Sequence, residues 1–149
     1  MAIYLPQLQI LGSVLLAMLL GGAIGYEREK ADRPAGLRTH ILVAGIAAFL
    51  INIGDLITLS ANVDRSLIQI DPVRMIEAII TGISFLGAGT ILRRKEGGDI
   101  EGLTTAASLL YVAGIGIAVG IHQFVLAIGI TLLGLIVLYM KSVTHRTAS

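Results

Sequence analysis

Charged residues are unusually dense in one short segment that separates two long apolar stretches of this chain. Seven charged residues stand between Gly25 and His40, whereas Leu, Ile, Ala and Gly dominate the sequence on either side. Charges at this density cannot lie in hydrocarbon, because a single acidic or basic side chain costs about 2.5–3.5 kcal/mol at the centre of a bilayer. We therefore expect a loop at one membrane face, with a membrane-spanning helix before and after it.

The composition indicates that lipid, rather than water, surrounds most of the chain. Hydrophobic residues make up 55% of the 149 residues and charged residues only 14%, with a mean hydropathy of +0.86. The chain has no cysteine, which excludes disulfides and cysteine-ligated zinc, and its formal net charge of +1 gives no reason to expect nucleic acid as a partner. The first nine residues do not resemble a signal peptide, so we expect the first apolar segment to be retained as a span.

Charges, prolines and glycines divide the sequence into five predicted helices. The apolar run from Leu103 to Met140 would measure about 57 Å as one helix, so it must fold back within a hydrocarbon core of about 30 Å, and the polar break at 120–123 is the place for the turn. Asp71 and Pro72 predict the start of the third helix, with an acceptor side chain at the cap and proline in the first turn. The predicted fold is an all-α polytopic transmembrane bundle, a single domain over 1–149 with spans at about 8–26, 37–59, 72–92, 103–119 and 123–140.

The distribution of basic residues predicts the orientation of these five spans. Cytoplasmic loops of membrane proteins are enriched in Lys and Arg. Arg65 and Arg74 fall on the side opposite the first loop, whereas the side of the first loop holds Arg28, Lys30, Arg33, Arg38, Arg93, Arg94, Lys95, Lys141 and Arg146. The N-terminus is therefore predicted outside and the C-terminus in the cytoplasm.

The first loop also contains two charges that are poorly placed on their own helices. Arg38 falls in the first turn of predicted helix 2, and Glu27 falls near the end of helix 1, so each opposes its helix dipole. We predict a contact between Glu27 and Arg38, or one in which Glu29 or Asp32 takes the place of Glu27. The alternative is that these charges are solvated at the membrane interface.

Glu77, Thr81 and Ser84 share one face of predicted helix 3. A carboxylate inside a membrane helix is costly and is often functional. One interpretation is that Glu77 faces a polar cavity and takes up a proton or a cation. The other is that it reaches the outer surface or pairs with Arg74, one turn earlier.

Small residues predict close helix packing at several points. Gly21 and Gly25 form a small-xxx-small pair in helix 1. Gly82, Gly87 and Gly89 in helix 3 resemble a phosphate-binding loop only superficially, because no Gly-Lys-Ser/Thr ending and no strand accompany them, and we interpret them as packing residues.

The start of predicted helix 4 is rich in hydroxyl groups. Gly102, Thr104, Thr105 and Ser108 offer caps for the helix N-terminus and a site for an anion or a lipid head group. Together with Tyr111, the hydroxyls predict a small polar seam between helices 3 and 4. The three histidines have no ligand spacing and no catalytic constellation is present, so we expect no metal, no cofactor and no enzymatic activity.

Three ordered segments resemble the MgtC/SapB family of bacterial inner-membrane proteins. The sequence from Arg33 to His40, preceded by Glu27-Arg28-Glu29, is similar to the family's signature loop, and 82–89 and 102–108 are similar to its second and third motifs. The resemblance covers most of the chain and implies a multi-pass protein of the bacterial cytoplasmic membrane. It implies that the functional residues of the loop are Glu27, Arg28, Glu29, Arg33, Pro34, Gly36, Arg38, Thr39 and His40.

The resemblance implies two hypotheses for function. MgtC-type proteins carry a soluble domain after the last span. They are associated with growth in low magnesium, survival in phagocytes and restraint of the ATP synthase. A chain that stops at Ser149 is similar to the shorter SapB type. The first hypothesis is a non-enzymatic regulator that binds a membrane protein such as the ATP synthase or a magnesium transporter. The alternative is a small proton or Mg²⁺ transporter or channel, which would use the Glu77 face. Membrane lipid and a second copy, as a homodimer, are the other expected partners.

Overall fold

The computed structural model is a bundle of helices, as predicted. It describes residues 4–60, 71–93 and 100–144. The helices are α1 (Tyr4–Lys30), α2 (Leu37–Ser60), α3 (Pro72–Ala88), α4 (Leu103–Gly120) and α5 (Phe124–Thr144). Two short strands, β1 (Leu92–Arg93) and β2 (Ile100–Glu101), pair antiparallel between α3 and α4. The predicted connection over 61–70, the charged segment 94–99, and His145 and Arg146 lie outside the described residues.

Local sequence signals account for most of the helix ends. The Asp71 carboxylate accepts a hydrogen bond from the Val73 N–H at 2.9 Å, which is the predicted cap of α3. The predicted turn between α4 and α5 is confirmed: the chain reverses at His122, which lies in the left-handed region at φ 60°. The Gln123 and His122 N–H groups donate to the carbonyls of Ala118 and Val119, the two bonds of a Schellman motif.

Helix α3 is shorter than predicted. It ends at Ala88 rather than near Leu92, because Leu92 pairs with Glu101 in the antiparallel strands and its backbone is no longer helical. Hydropathy alone does not distinguish these states, since the sequence stays apolar through Leu92.

Helices α1, α2 and α4 form the core of the bundle. Helix α5 lies against α1 and α4, and α3 lies against α4 and, less closely, α2. Small side chains bring α2 and α4 close together: a Cβ added to Gly116 would meet the Cβ of Ala47 at 2.9 Å, and one added to Gly120 would meet the Cβ of Ile51 at 2.8 Å. The fully buried core side chains include Ala17, Ile24, Ala44, Ala47, Ala48, Leu109, Val112, Ala113, Ile115 and Val119.

Within the described parts of the chain, three helices are long and apolar enough to cross a membrane, namely Tyr4–Lys30, Leu37–Ile57 and Leu103–Gly120, and Phe124–Met140 is a shorter apolar helix. Large apolar side chains cover the outer surface of the bundle; Val125, for example, is 88% exposed and Leu42 is 66% exposed. Apolar surface this extensive is typical of contact with lipid. The chain is therefore a helical membrane protein, while the five-span topology and its orientation stay predictions.

Candidate functional site

A cluster of polar side chains is buried at the end of the bundle where α1 turns into α2. Arg28 of α1, His40 of α2, and Thr105 and Ser108 of α4 are each at most 4% exposed. We call these four residues the buried polar cluster. Polar groups in an apolar interior are costly unless they are paired, so the cluster is the candidate functional site.

Arg28 forms an ion pair with its neighbour Glu27. The Arg28 Nε–H donates to Glu27 Oε2, and the two side chains are 4% and 13% exposed. The predicted contact between Glu27 and Arg38 is therefore wrong: Glu27 is engaged by the adjacent arginine, and Arg38 points to the exposed side of α2.

Glu29 caps the second helix. The Leu37 N–H donates to Glu29 Oε2 at 2.9 Å, which places a negative charge at the positive end of the α2 dipole. Gly36 makes room for this carboxylate, since an added Cβ would lie 2.8 Å from Glu29 Oε2. The prediction that Glu29 replaces Glu27 as the partner of Arg38 is thus also wrong, because Glu29 binds the helix backbone.

His40 links the first loop to α4 through hydrogen bonds at both ring nitrogens. Nδ1 lies 2.8 Å from the Gly36 carbonyl oxygen and Nε2 lies 2.9 Å from Ser108 Oγ. Because a carbonyl only accepts, Nδ1 carries a proton. The charges of Arg28 and Glu27 act on the ring electrostatically.

This arrangement can hold His40 either neutral or charged. In the neutral ring Nε2 accepts from the Ser108 hydroxyl. In the charged ring Nε2–H donates to Ser108 Oγ, and the Ser108 hydroxyl donates to the Thr105 carbonyl oxygen, which lies 2.8 Å away. The heavy atoms can therefore stay in place while a proton is taken up or released.

Two glycines of α1 lie beside His40. A Cβ on Gly25 would meet the Cβ of His40 at 2.8 Å and the Cα of Leu37 at 2.9 Å, and one on Gly21 would meet the His40 carbonyl oxygen at 2.9 Å. The small-xxx-small pair therefore allows the close contact between α1 and α2 that buries the histidine.

The other loop residues form a surface over the cluster. Arg33, Pro34 and Arg38 are exposed, and Thr39 is partly exposed. This part of the loop is free to contact another molecule at the end of the bundle.

The polar face of α3 lies on the outside of the chain. Glu77, Thr81 and Ser84 are all exposed, and the Thr81 hydroxyl donates to the Glu77 carbonyl oxygen at 2.7 Å. The interpretation in which Glu77 faces a polar cavity is not supported within one copy of the chain. Arg74 lies nearest to Asp71, at 3.9 Å, rather than pairing with Glu77.

Only one of the three α3 glycines contacts a neighbouring helix. A Cβ on Gly87 would lie 3.4 Å from Ala106 of α4, whereas Gly82 is exposed with nothing within 4 Å and Gly89 is exposed at the helix end. The packing role predicted for Gly82 and Gly89 is wrong within one chain, because an added Cβ at Gly82 meets nothing within 4 Å and one at Gly89, the C-cap of α3, meets only carbonyls of α3 itself.

The start of α4 differs from the prediction in two ways. The N-cap is Gly102, whose φ of 92° and lack of a side chain exclude a hydroxyl cap at that position. Thr104 is partly buried in the first turn of the helix. Ser108 faces α2, and the Tyr111 hydroxyl donates to the Ile130 carbonyl oxygen of α5. The predicted polar seam with α3 is therefore wrong for Ser108 and Tyr111, because their hydroxyls contact α2 and α5.

The burial of His40 could be predicted from helical periodicity, although no short motif in the sequence indicates it. His40, Ala44, Ala47 and Ile51 follow one another at helical spacing, so the histidine continues the small, buried face of α2. Within 4–60, 71–93 and 100–144, no group of three or more His, Asp or Glu side chains could hold a metal ion.

Comparisons with known proteins agree on one family. The model of the MgtC family matches residues 14–147. Protein MgtC of Salmonella typhimurium is 43% identical over 122 residues, which is 81% of this chain and 47% of that protein. "Putative magnesium transporter YhiD" of Escherichia coli K12 is 38% identical over 130 residues, 84% of this chain and 57% of that protein.

A third relative, Protein SrpB of Synechococcus elongatus, is 40% identical over 129 residues, 79% of this chain and 68% of that protein. No solved structure matches the chain. The chain spans about half the length of the Salmonella relative that it matches. On the family match and on these identities, the chain belongs to the MgtC family.

Proposed function

We propose that this chain is a non-enzymatic regulator of the bacterial cytoplasmic membrane, which acts by binding another membrane protein when magnesium is limiting. The observation that carries the proposal is an apolar, closely packed layer through the core. His40 and Asn52 are buried polar residues of α2, about 18 Å apart along the helix axis.

Between the levels of His40 and Asn52, the described core of α1, α2 and α4 is apolar and closely packed. Its buried members at this level include Ala44, Ala47, Ile51, Val112 and Ile115. The Asn52 amide donates to the Ala48 carbonyl of its own helix, at 2.8 Å. An ion would have to cross this layer without ligands, which disfavours transport through a single copy.

The exposed side of the first loop is the surface best suited to a partner. Arg38 and Arg33 extend beyond the buried polar cluster, and Glu29 fixes the turn by capping α2. A rigid turn with exposed guanidinium groups suits an acidic surface. The ATP synthase and a magnesium-transport system are the proposed partners, and the name of the Escherichia coli relative supports the link to magnesium.

Co-purification from membranes tests the proposal. We expect the tagged chain to retain one membrane partner, and Arg38→Ala to lose it without loss of folded protein, because Arg38 contributes no ion pair within the described bundle. Arg74→Ala is the matched control, since Arg74 is 84% exposed at the opposite end of the bundle. Retention of the partner by Arg38→Ala would refute this docking surface.

Transport between copies is the alternative, and the exposed polar face of α3 favours it. Glu77 has no ion-pair partner among the described residues, and two copies joined along this face would enclose Glu77, Thr81 and Ser84. Proton or Mg²⁺ flux into liposomes that is abolished by Glu77→Gln would overturn the regulator proposal. Absence of flux from liposomes with verified protein insertion would support it.

A further inference from the structure

A second polar site lies at the opposite end of the bundle from the buried polar cluster. A cavity of about 310 Å³ opens between the first turns of α1 and the turn that joins α4 to α5. Its lining consists of Gln9, Gly12, Ser13, Leu16, His122 and Phe124. This volume is at the lower end of the range of small-molecule sites, about 300–1,000 Å³.

Ser13 lines this cavity, and no hydrogen bond joins its hydroxyl to the backbone of α1 within the described residues. Other hydroxyls in the bundle donate to a carbonyl of their own helix: Thr81 to Glu77, Thr131 to Ala127 and Thr90 to Gly87. The Ser13 hydroxyl is therefore open to the cavity, where it can donate a hydrogen bond to a ligand or accept one.

The turn after α4 holds His122 at the edge of the cavity. His122 adopts φ 60°, at the position of a Schellman motif where glycine is the usual residue. Its ring meets Phe124 edge-on, with 5.8 Å between the ring centroids. The sequence thus keeps an imidazole where glycine would suit the backbone better.

The chemistry of the lining selects the class of ligand. Gln9, Ser13 and His122 can all donate hydrogen bonds and no carboxylate lines the cavity, so it suits a group with acceptor oxygens and does not suit Mg²⁺, whose sites use carboxylates. Leu16 and Phe124 add an apolar wall. His122 and Phe124 lie where α4 ends and α5 begins, the depth at which a bilayer presents its head groups, and Leu16 lies deeper along α1.

We propose that this cavity binds the phosphate of a phospholipid head group, with the acyl chains lying along Leu16 and Phe124. The imidazole, the amide and the hydroxyl donate to the phosphate oxygens. The proposal does not depend on the proposed function, because the cavity is separate from the first loop.

Native mass spectrometry of the purified chain tests the proposal with a matched pair of lipids. Phosphatidylglycerol should bind, and diacylglycerol, which has the same chains without phosphate, should bind at least tenfold less. Millimolar inorganic phosphate should not displace the lipid; displacement would mean a site for free phosphate and would overturn the assignment to lipid.

Two variants locate the site without disturbing the fold. Gly12→Leu should reduce lipid binding at least fivefold, because the leucine side chain fills the cavity. A Cβ at Gly12 has nothing within 4 Å, so the substitution causes no clash. Gly82→Leu is the control, because Gly82 is equally open but lies on α3. His122→Gly should also reduce binding while it suits the backbone of the turn. Unchanged binding in both Gly12→Leu and His122→Gly, or an equal loss in Gly82→Leu, would overturn the proposal.

Discussion

At the scale of single residues, the main feature is that the charge which turns inward is Arg28, a cation in the last turn of α1, where the helix dipole favours it. Arg28 is buried and Arg38 is exposed, although both stand in the same charged segment. Arg28 lies on the face of α1 that carries Gly21 and Gly25, which packs against α2. Its position on this face brings the guanidinium inside, and the adjacent carboxylate of Glu27 neutralises it there.

Removing the Arg28 charge should therefore destabilise the bundle far more than removing the Arg38 charge. Arg28→Gln leaves a partly buried Glu27 carboxylate without its partner, which typically costs about 3 kcal/mol. Arg38→Gln should change stability by less than about 0.5 kcal/mol, as is usual at exposed positions. The fraction of protein that stays monodisperse after heating in detergent measures both, and equal losses would contradict the inward position of Arg28.

The hydrogen bond between His40 and Ser108 gives a second prediction at this scale. Ser108→Ala leaves His40 Nε2 without its buried partner, which should cost about 1–3 kcal/mol. The ¹⁵N resonance of His40 Nε2 should shift, while Nδ1 keeps its proton through the Gly36 carbonyl. Ser84→Ala, on the exposed face of α3, is the control, and a His40 spectrum unchanged by Ser108→Ala would contradict the contact.

At the scale of elements, glycines set how closely the helices approach, and their effect depends on the face they occupy. Gly25 of α1 lies against α2, whereas Gly114 of α4 has nothing within 4 Å of an added Cβ. A comparison of the two positions therefore distinguishes a glycine that close helix packing requires from one that only lowers helix stability.

Alanine at these two positions should have opposite effects on stability. Gly25→Ala would place a methyl group 2.8 Å from the Cβ of His40 and 2.9 Å from backbone of Leu37, so α1 and α2 must separate and the bundle loses stability. Gly114→Ala should gain up to about 1 kcal/mol from helix propensity alone. Thermal inactivation in detergent compares the two, and destabilisation by both would show that Gly114 is not open.

The helices and their ends could be predicted from the sequence more reliably than the contacts between helices. Asp71-Pro72 and the break at 120–123 are local signals, and they give the start of α3 and the turn after α4. The contact between Ser108 and His40 could not be predicted, because helical spacing shows which residues share a face but not which helix that face meets. The same limit explains Glu77, whose polar face turned out to lie outside the bundle.

At the scale of the whole molecule, the two ends of the bundle differ in chemistry. One end has the buried polar cluster beneath the charged first loop, and the other has the cavity beside His122. The basic residues of the first loop favour placing that end in the cytoplasm.

Cysteine labelling should determine this topology without background, because the chain contains no cysteine. We expect a membrane-impermeant maleimide to label Gln123→Cys on intact spheroplasts and Arg33→Cys only after permeabilisation. Helices α2, α3 and α4 lie between these positions, so an odd number of crossings places them on opposite sides. Labelling of both from the same side would mean that one of the three, most simply α3, does not cross.

The separation of His40 and Ser108 along the chain has a consequence for biosynthesis. The two residues are 68 positions apart, so at about 5–20 residues per second the ribosome needs roughly 3–14 s to deliver the partner of an imidazole that is already made. During this interval the α1–α2 hairpin presents an unpaired ring nitrogen on the face that α4 will cover. A translation product truncated before Ser108 therefore differs chemically from the finished protein, because its His40 ring lacks the hydrogen bond at Nε2.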